Sequence, residues 1–179
     1  EDVIIKDQPN SFVLDSFKGN LSFNNVSFKY KDDYVLRNVD LSINKGQTIA
    51  LVGQSGSGKT TLADLVTRFY DVVEGSITIN DIDIRKFTLH SLRDCIGVVT
   101  QDSILFNDSI NNNISFGIEN TTDEAIVAAA KIANAHEFIV ELENGYETNI
   151  GDGGNKLSGG KRQRLSIAKV EAACPDPTV

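Results

Sequence analysis

The sequence predicts an α/β fold built around a phosphate-binding loop, and three observations carry that prediction. The first is Gly53-Gln54-Ser55-Gly56-Ser57-Gly58-Lys59-Thr60, which fits G-x-x-x-x-G-K-[ST], the P-loop pattern. The second is its setting. The apolar run Thr48-Ile49-Ala50-Leu51-Val52 precedes it and reads as a buried strand, while Thr61-Leu62-Ala63-Asp64-Leu65-Val66 follows with apolar residues at helical spacing. The third is a change of texture along the chain. Apolar and polar residues alternate before the loop, as in half-buried antiparallel strands. Alanine-rich stretches in the second half favour helices.

Taken in order, residues 1–18 read as a linker, with a brief apolar patch at Val3-Ile4-Ile5 broken by Lys6-Asp7-Gln8-Pro9-Asn10. Leu21-Ser22-Phe23 and Val26-Ser27-Phe28-Lys29-Tyr30 alternate, Lys31-Asp32-Asp33 turns, and Val39-Asp40-Leu41-Ser42-Ile43 alternates again. Past the loop helix, Glu74-Gly75 turns into a strand at Ser76-Ile77-Thr78-Ile79. A polar connection then leads to a short helix near residues 88–94. Ile96-Gly97-Val98-Val99 reads as a second buried strand, ending at Thr100-Gln101. Thr121-Thr122-Asp123-Glu124 has the form of a capping box before a helix at 125–133, and a second helical segment covers 135–142. A glycine-rich loop at 146–155 leads to Leu157-Ser158-Gly159-Gly160 and a last helix over about 161–172.

Composition narrows the partners. At 179 residues with 40% hydrophobic residues, one domain can bury a core. A net charge of −8 argues against a nucleic-acid face as the main business. A P-loop needs no basic surface, because backbone N–H groups and one lysine do its work. Two cysteines, Cys95 and Cys174, form no disulfide framework, which favours a reducing compartment. No signal peptide and no apolar run near 18 residues stands out, so the sequence itself is not expected to span a membrane.

The chemistry of the loop follows from its residue types. Gly53, Gly56 and Gly58 let the backbone curl, and with Ser55 and Ser57 between them its N–H groups face inward at a helix N-terminus. Lys59 is placed to reach the β- and γ-phosphates, the Thr60 hydroxyl to ligate Mg²⁺, and Thr61 to line the same mouth. His90 and His136 stand alone, without metal-ligand spacing, and read as surface residues. The acidic run 141–147 reads as a solvated face.

Several motifs in this order resemble the nucleotide-binding domain of ABC transporters, over roughly residues 20–168. The chain looks most like the exporter kind found in lipid-flippase and multidrug half-transporters. That resemblance implies ATP and Mg²⁺ as ligands and an ABC-type ATPase core, with an antiparallel N-terminal subdomain and a helical signature subdomain. Tyr30 matches the aromatic that stacks on adenine; on the residue alone, stacking and simple packing at the strand end stand even. Gln101 matches the Q-loop glutamine, which reaches Mg²⁺ or the attacking water and touches the membrane domain; by itself it is also an ordinary polar strand terminus. Gln101 and Lys59 are thus the implied catalytic residues, and Thr60 and Gln101 the implied metal contacts.

Leu157-Ser158-Gly159-Gly160-Lys161 resembles the signature motif LSGGQ with lysine in place of glutamine. In the family it caps the γ-phosphate held by the P-loop of a second domain, paired head-to-tail. The glycine-rich stretch Thr148-Asn149-Ile150-Gly151-Asp152-Gly153-Gly154 resembles the exporter X-loop, though a plain glycine-rich hinge reads similarly. The implied partners are a second nucleotide-binding domain and a transmembrane domain, and the implied place is the cytoplasmic face of a membrane.

One part of the family pattern is missing. An apolar strand ending in Asp-Glu, the Walker B motif, should follow the signature helix, and a switch histidine should come later. Residues 162–168 track the family, but 169–179 (KVEAACPDPTV) diverge and no apolar run closed by Asp-Glu occurs. The reading is therefore a C-terminally incomplete domain at 19–168 with a divergent tail, deficient in hydrolysis by itself. Two other readings stay open at this level. One is a soluble ABC-type ATPase, which would carry a tandem domain or a coiled-coil insertion. The other is a non-hydrolysing nucleotide-binding pseudo-domain.

Overall fold

The amino-terminal alternation folds into one antiparallel sheet. Strand β1 spans Asn20–Lys29, β2 Tyr34–Asn44, β3 Glu74–Ile79 and β4 Ile82–Asp83, in the spatial order β2-β1-β3-β4. The computed structural model describes residues 5–100, 102–118 and 120–173. Two compact units divide the chain, Glu1–Ile96 and Gly97–Val179.

In the first unit, the two alternating runs expected around residues 21–30 form the single strand β1. It is irregular where Asn25 takes a left-handed φ of 51° and its N–H donates to Asp40 Oδ1 at 2.7 Å. The irregularity resets the alternation, so that Phe23 before it and Val26 and Phe28 after it all join the core that holds Ile77 and Ile79 of β3. Asn80 and Asp81, with φ of 52° and 63°, make the tight turn to β4, the backbone that a two-residue hairpin needs. Helix α1, Lys59–Val66, adds Leu62 and Leu65 to this core, and α2, Leu89–Asp94, adds Leu92. Part of the expected linker is packed. Leu14 is buried, its N–H donates to Ser91 Oγ at 2.9 Å, and Phe12 bridges to Phe87.

The end of α1 is held by an ion pair. Arg68 is 1% exposed and left-handed at φ 51°, and its Nε donates to Asp71 Oδ1 at 2.9 Å. Two donors from Arg93 hold the carbonyls of Thr67 and Arg68 at 3.1 and 3.0 Å. Removing the carboxylate leaves a buried guanidinium without its counter-charge. Asp71→Asn is expected to lower the unfolding free energy by on the order of 3 kcal/mol, read from urea denaturation. A loss below about 1 kcal/mol would mean that solvent on the Asp71 side already screens the pair.

The second unit is helical. Helix α3 spans Ile110–Ile114, α4 Asp123–Ile132, α5 His136–Val140 and α6 Gly159–Ala173. Ile110, Ile114, Ile126, Phe138, Ile139, Ile150 and Leu165 share one core, with α6 lying against α3 and α4. The cap of α4 sits one residue later than the expected capping box allows. Thr122 is the N-cap and accepts from Ala125 N–H at 3.3 Å. Glu124 therefore does not occupy the reciprocal N3 position. Its own N–H, then the Thr122 hydroxyl, hold its carboxyl below the ordinary value.

The buried strands expected at 48–52 and 96–99 are not seen among the described residues. Neither run has a ladder partner there. Leu51 and Val52 are 44% and 94% exposed, and Val98 is 49% exposed. A central strand is stable when neighbours satisfy its N–H and C=O groups and cover both faces. The antiparallel sheet of β1 to β4 gives these runs neither.

Candidate functional site

The P-loop residues lie where a helix begins. Gly58 is the N-cap of α1 at φ 86° and ψ 7°, with no side-chain cap, so the first-turn N–H groups are left to another acceptor. A Cβ on Gly58 would come within 2.7 Å of Leu36, and one on Gly53 within 2.7 Å of Ser57 Oγ. Gly58 is therefore required by space and by backbone angle, whereas a side chain at Gly53 would first have to displace the Ser57 hydroxyl. Lys59 folds back over the loop. Its Nζ donates to the carbonyls of Gly53 and Gln54 at 2.9 and 2.8 Å and to Ser57 Oγ at 3.3 Å. Ser55, Gly56, Ser57 and Thr60 are exposed around it, while Thr61 is buried. A cationic head, unfilled helix N–H groups and a loop without bulk together suit a polyphosphate.

Tyr30 follows the last residue of β1 and joins the loop helix. Its hydroxyl lies 3.1 Å from Thr61 Oγ1. The residue is 51% exposed, and its ring stands nearly perpendicular to two others, Phe28 at 4.9 Å and 86° and Tyr70 at 5.1 Å and 88°. Sequence reading missed Tyr70. It lies beyond the end of α1 with no motif around it, and only the fold brings it beside Tyr30.

The signature residues open α6. Leu157 is in the helical core, and Ser158 Oγ accepts from Lys161 N–H at 3.4 Å as an N-cap does. Gly159 and Gly160 are exposed, and a Cβ on Gly160 would meet nothing within 4 Å. Lys161, which stands where the motif usually has glutamine, turns away from this opening. Its Nζ sits 5.0 Å over the Phe138 ring. The charge it adds is therefore lodged on the helix flank. Arg162 donates to Leu157 O at 2.8 Å and braces the turn.

The glycine-rich stretch before the signature is tied down. Asn149 bridges to Ser109, Ile150 N–H donates to Asp108 O at 3.1 Å, and Lys156 Nζ donates to Asn149 O at 3.1 Å. Gly151, at φ 75°, leaves 2.3 Å between a would-be Cβ and Asn155 Oδ1. Nearby, Lys169 of α6 lies 4.7 and 4.4 Å from the Phe106 and Phe116 rings, and burial lowers its pKa.

Gln101 lies outside the described residues. His90 is exposed, 3.3 Å from Asp94. His136 departs from the surface reading: it is half-buried, with Nδ1 2.9 Å from the Tyr146 hydroxyl. Among the described residues no three His, Cys, Asp or Glu side chains cluster as a metal cage. A cation at the P-loop would draw on the Thr60 hydroxyl and on phosphate oxygens, a donor set that suits Mg²⁺. Among the same residues no helix is long and apolar enough to cross a membrane.

Comparison with known proteins places this geometry. The family model described as ABC transporter matches residues 36–176. An ATP-dependent lipid A-core flippase of Desulfotalea psychrophila (strain LSv54 / DSM 12343) is 51% identical over 166 residues, covering 93% of this chain and 29% of the relative. A candidate multidrug export ATP-binding/permease protein of Bacillus subtilis (strain 168) is 49% identical, covering 92% of this chain and 29% of the relative. The solved structure of a bacterial Atm1-family ABC exporter with ATP bound aligns with a TM-score of 0.88 at 42% identity, over 96% of this chain and 30% of that one. The chain thus spans under a third of the length of the relatives it matches.

Proposed function

This chain belongs to the ABC transporter family as an ATP-binding domain with exporter-type relatives, and from that premise we propose that it binds Mg-ATP to drive export across a membrane. In this reading Lys59 and the 53–60 loop hold the β- and γ-phosphates, Thr60 and Gln101 contact Mg²⁺, and Tyr30 stacks on adenine. Leu157, Ser158, Gly159 and Gly160 cap the γ-phosphate of a second domain. The observation that carries the reading is the P-loop: Lys59 Nζ sits over an uncapped helix N-terminus, 2.9 Å from Gly53 O. The domain works at the cytoplasmic face, joined to a transmembrane domain of its own or a partner chain. Relatives named as a flippase and an export permease favour this over a soluble ATPase.

Composite sites make a distinctive expectation. Light scattering on the purified chain should show a monomer without nucleotide and a dimer with Mg-ATP. Ser158→Glu places a carboxylate against the opposing γ-phosphate, so it should abolish the dimer while calorimetric ATP binding persists. ATP binding with no change in mass, in the unmodified chain, would remove the head-to-tail arrangement from the proposal.

A further inference from the structure

We propose that Tyr70 is a positioning residue for the nucleotide base, acting through Tyr30; this rests on the reading of Tyr30 as the base-stacking residue. An exposed tyrosine at a strand end has two free side-chain torsions, and stacking a base on it normally requires ordering them. Here the ordering is done beforehand. Phe28 is 3% exposed and forms the fixed member of a three-ring cluster. Tyr30 meets Phe28 at 4.9 Å and Tyr70 at 5.1 Å, and Phe28 meets Tyr70 at 5.5 Å. The hydroxyl of Tyr30 gives a third restraint, 3.1 Å from Thr61 Oγ1. The residue is still half exposed.

Tyr70 is itself held. Asp71, next in sequence, pairs with buried Arg68 at 2.9 Å, and the Phe69 N–H donates to Asp64 O at 3.0 Å. The carbonyls of Thr67 and Arg68 are fixed by Arg93. The segment that ends α1 therefore carries Tyr70 on a rigid stem, and its ring sets the plane in which Tyr30 offers a face. This ties the base platform to the helix that begins with Lys59 and Thr60. Tyr70 need not touch the nucleotide to do this.

The test compares two probes, ATP and inorganic tripolyphosphate, by calorimetry on the whole chain. Tyr70→Leu should weaken ATP binding about three- to tenfold, the value of one aromatic pair, and leave tripolyphosphate unchanged. Tyr70→Phe should restore ATP affinity, which also shows that the fold tolerates the site. In a Tyr30→Ala background, Tyr70→Leu should have no further effect. Equal losses for both probes would show a merely structural role and overturn the proposal, as would an unchanged ATP affinity in Tyr70→Leu. If Tyr30→Ala itself leaves ATP affinity intact, the stacking reading fails and the proposal falls with it. If Tyr30→Ala weakens ATP but Tyr70→Leu does not, the proposal alone fails.

Discussion

Lys59→Ala is expected to weaken Mg-ATP binding on the order of a hundredfold, the worth of one or two charge-assisted hydrogen bonds to phosphate. The argument begins with where the ammonium sits. It makes three bonds to its own loop, to Gly53 O, Gln54 O and Ser57 Oγ. None of these partners is buried, so water replaces the lost donors with little cost to the fold. A thermal midpoint close to that of the parent is expected alongside the affinity loss. In the proposed site the same ammonium would exchange carbonyl partners for phosphate oxygens, an exchange that is favourable because the new acceptors are ionised. Lys59→Arg should fail almost as badly. A planar guanidinium is broader than an ammonium and does not place one compact point charge where Lys59 Nζ meets two carbonyls and a hydroxyl at 2.8 to 3.3 Å. Retained affinity in Lys59→Ala would mean that the 53–60 loop is not where phosphate binds.

Much of this site was legible because its chemistry is local. A glycine-rich loop before a helix needs only consecutive residues, and so does the Ser158 cap of α6. The alternation of β1 and β2 was legible for the same reason, since a period of two reports a half-buried face. Three things were not. The apolar run at 48–52 signals burial, but burial of a strand is a property of its neighbours. Among the described residues no strand pairs with it, and Val52 is 94% exposed. The capping-box pattern puts the α4 cap at Thr121, four residues from a glutamate counted inclusively, whereas the backbone places it at Thr122. Tyr70 depends on a contact between residues 40 positions apart, Tyr30 and Tyr70, which no local pattern encodes. Lys161 shows the reverse case. Its departure from the signature pattern is plain in sequence, yet its position over Phe138 explains why the opening at Gly159 and Gly160 is left clear.

The purified chain is expected to bind Mg-ATP but to turn it over no faster than a Lys59→Ala control, measured as phosphate released under steady state. Phosphoryl transfer to water asks two things of a protein: charge against the transferring group, and a base or acceptor that orients the attacking water. In the proposed site, Lys59 and the α1 N-terminus would provide the first. For the second, the 179 residues hold no apolar run closed by Asp-Glu, and a carboxylate in that role contributes about 10²- to 10⁴-fold. Gln101, the implied water contact, carries no charge and cannot take up a proton. Adding such a strand should therefore act twice. A peptide or extended chain bearing an apolar strand closed by Asp-Glu should cover Leu51 and Val52, raising the unfolding midpoint, and should raise turnover by at least a hundredfold. A change of the glutamate to glutamine in that added strand should keep the stability gain and lose the rate. Turnover by the present chain well above the Lys59→Ala control would show instead that a residue already within it orients the water, and would sink this account of hydrolysis.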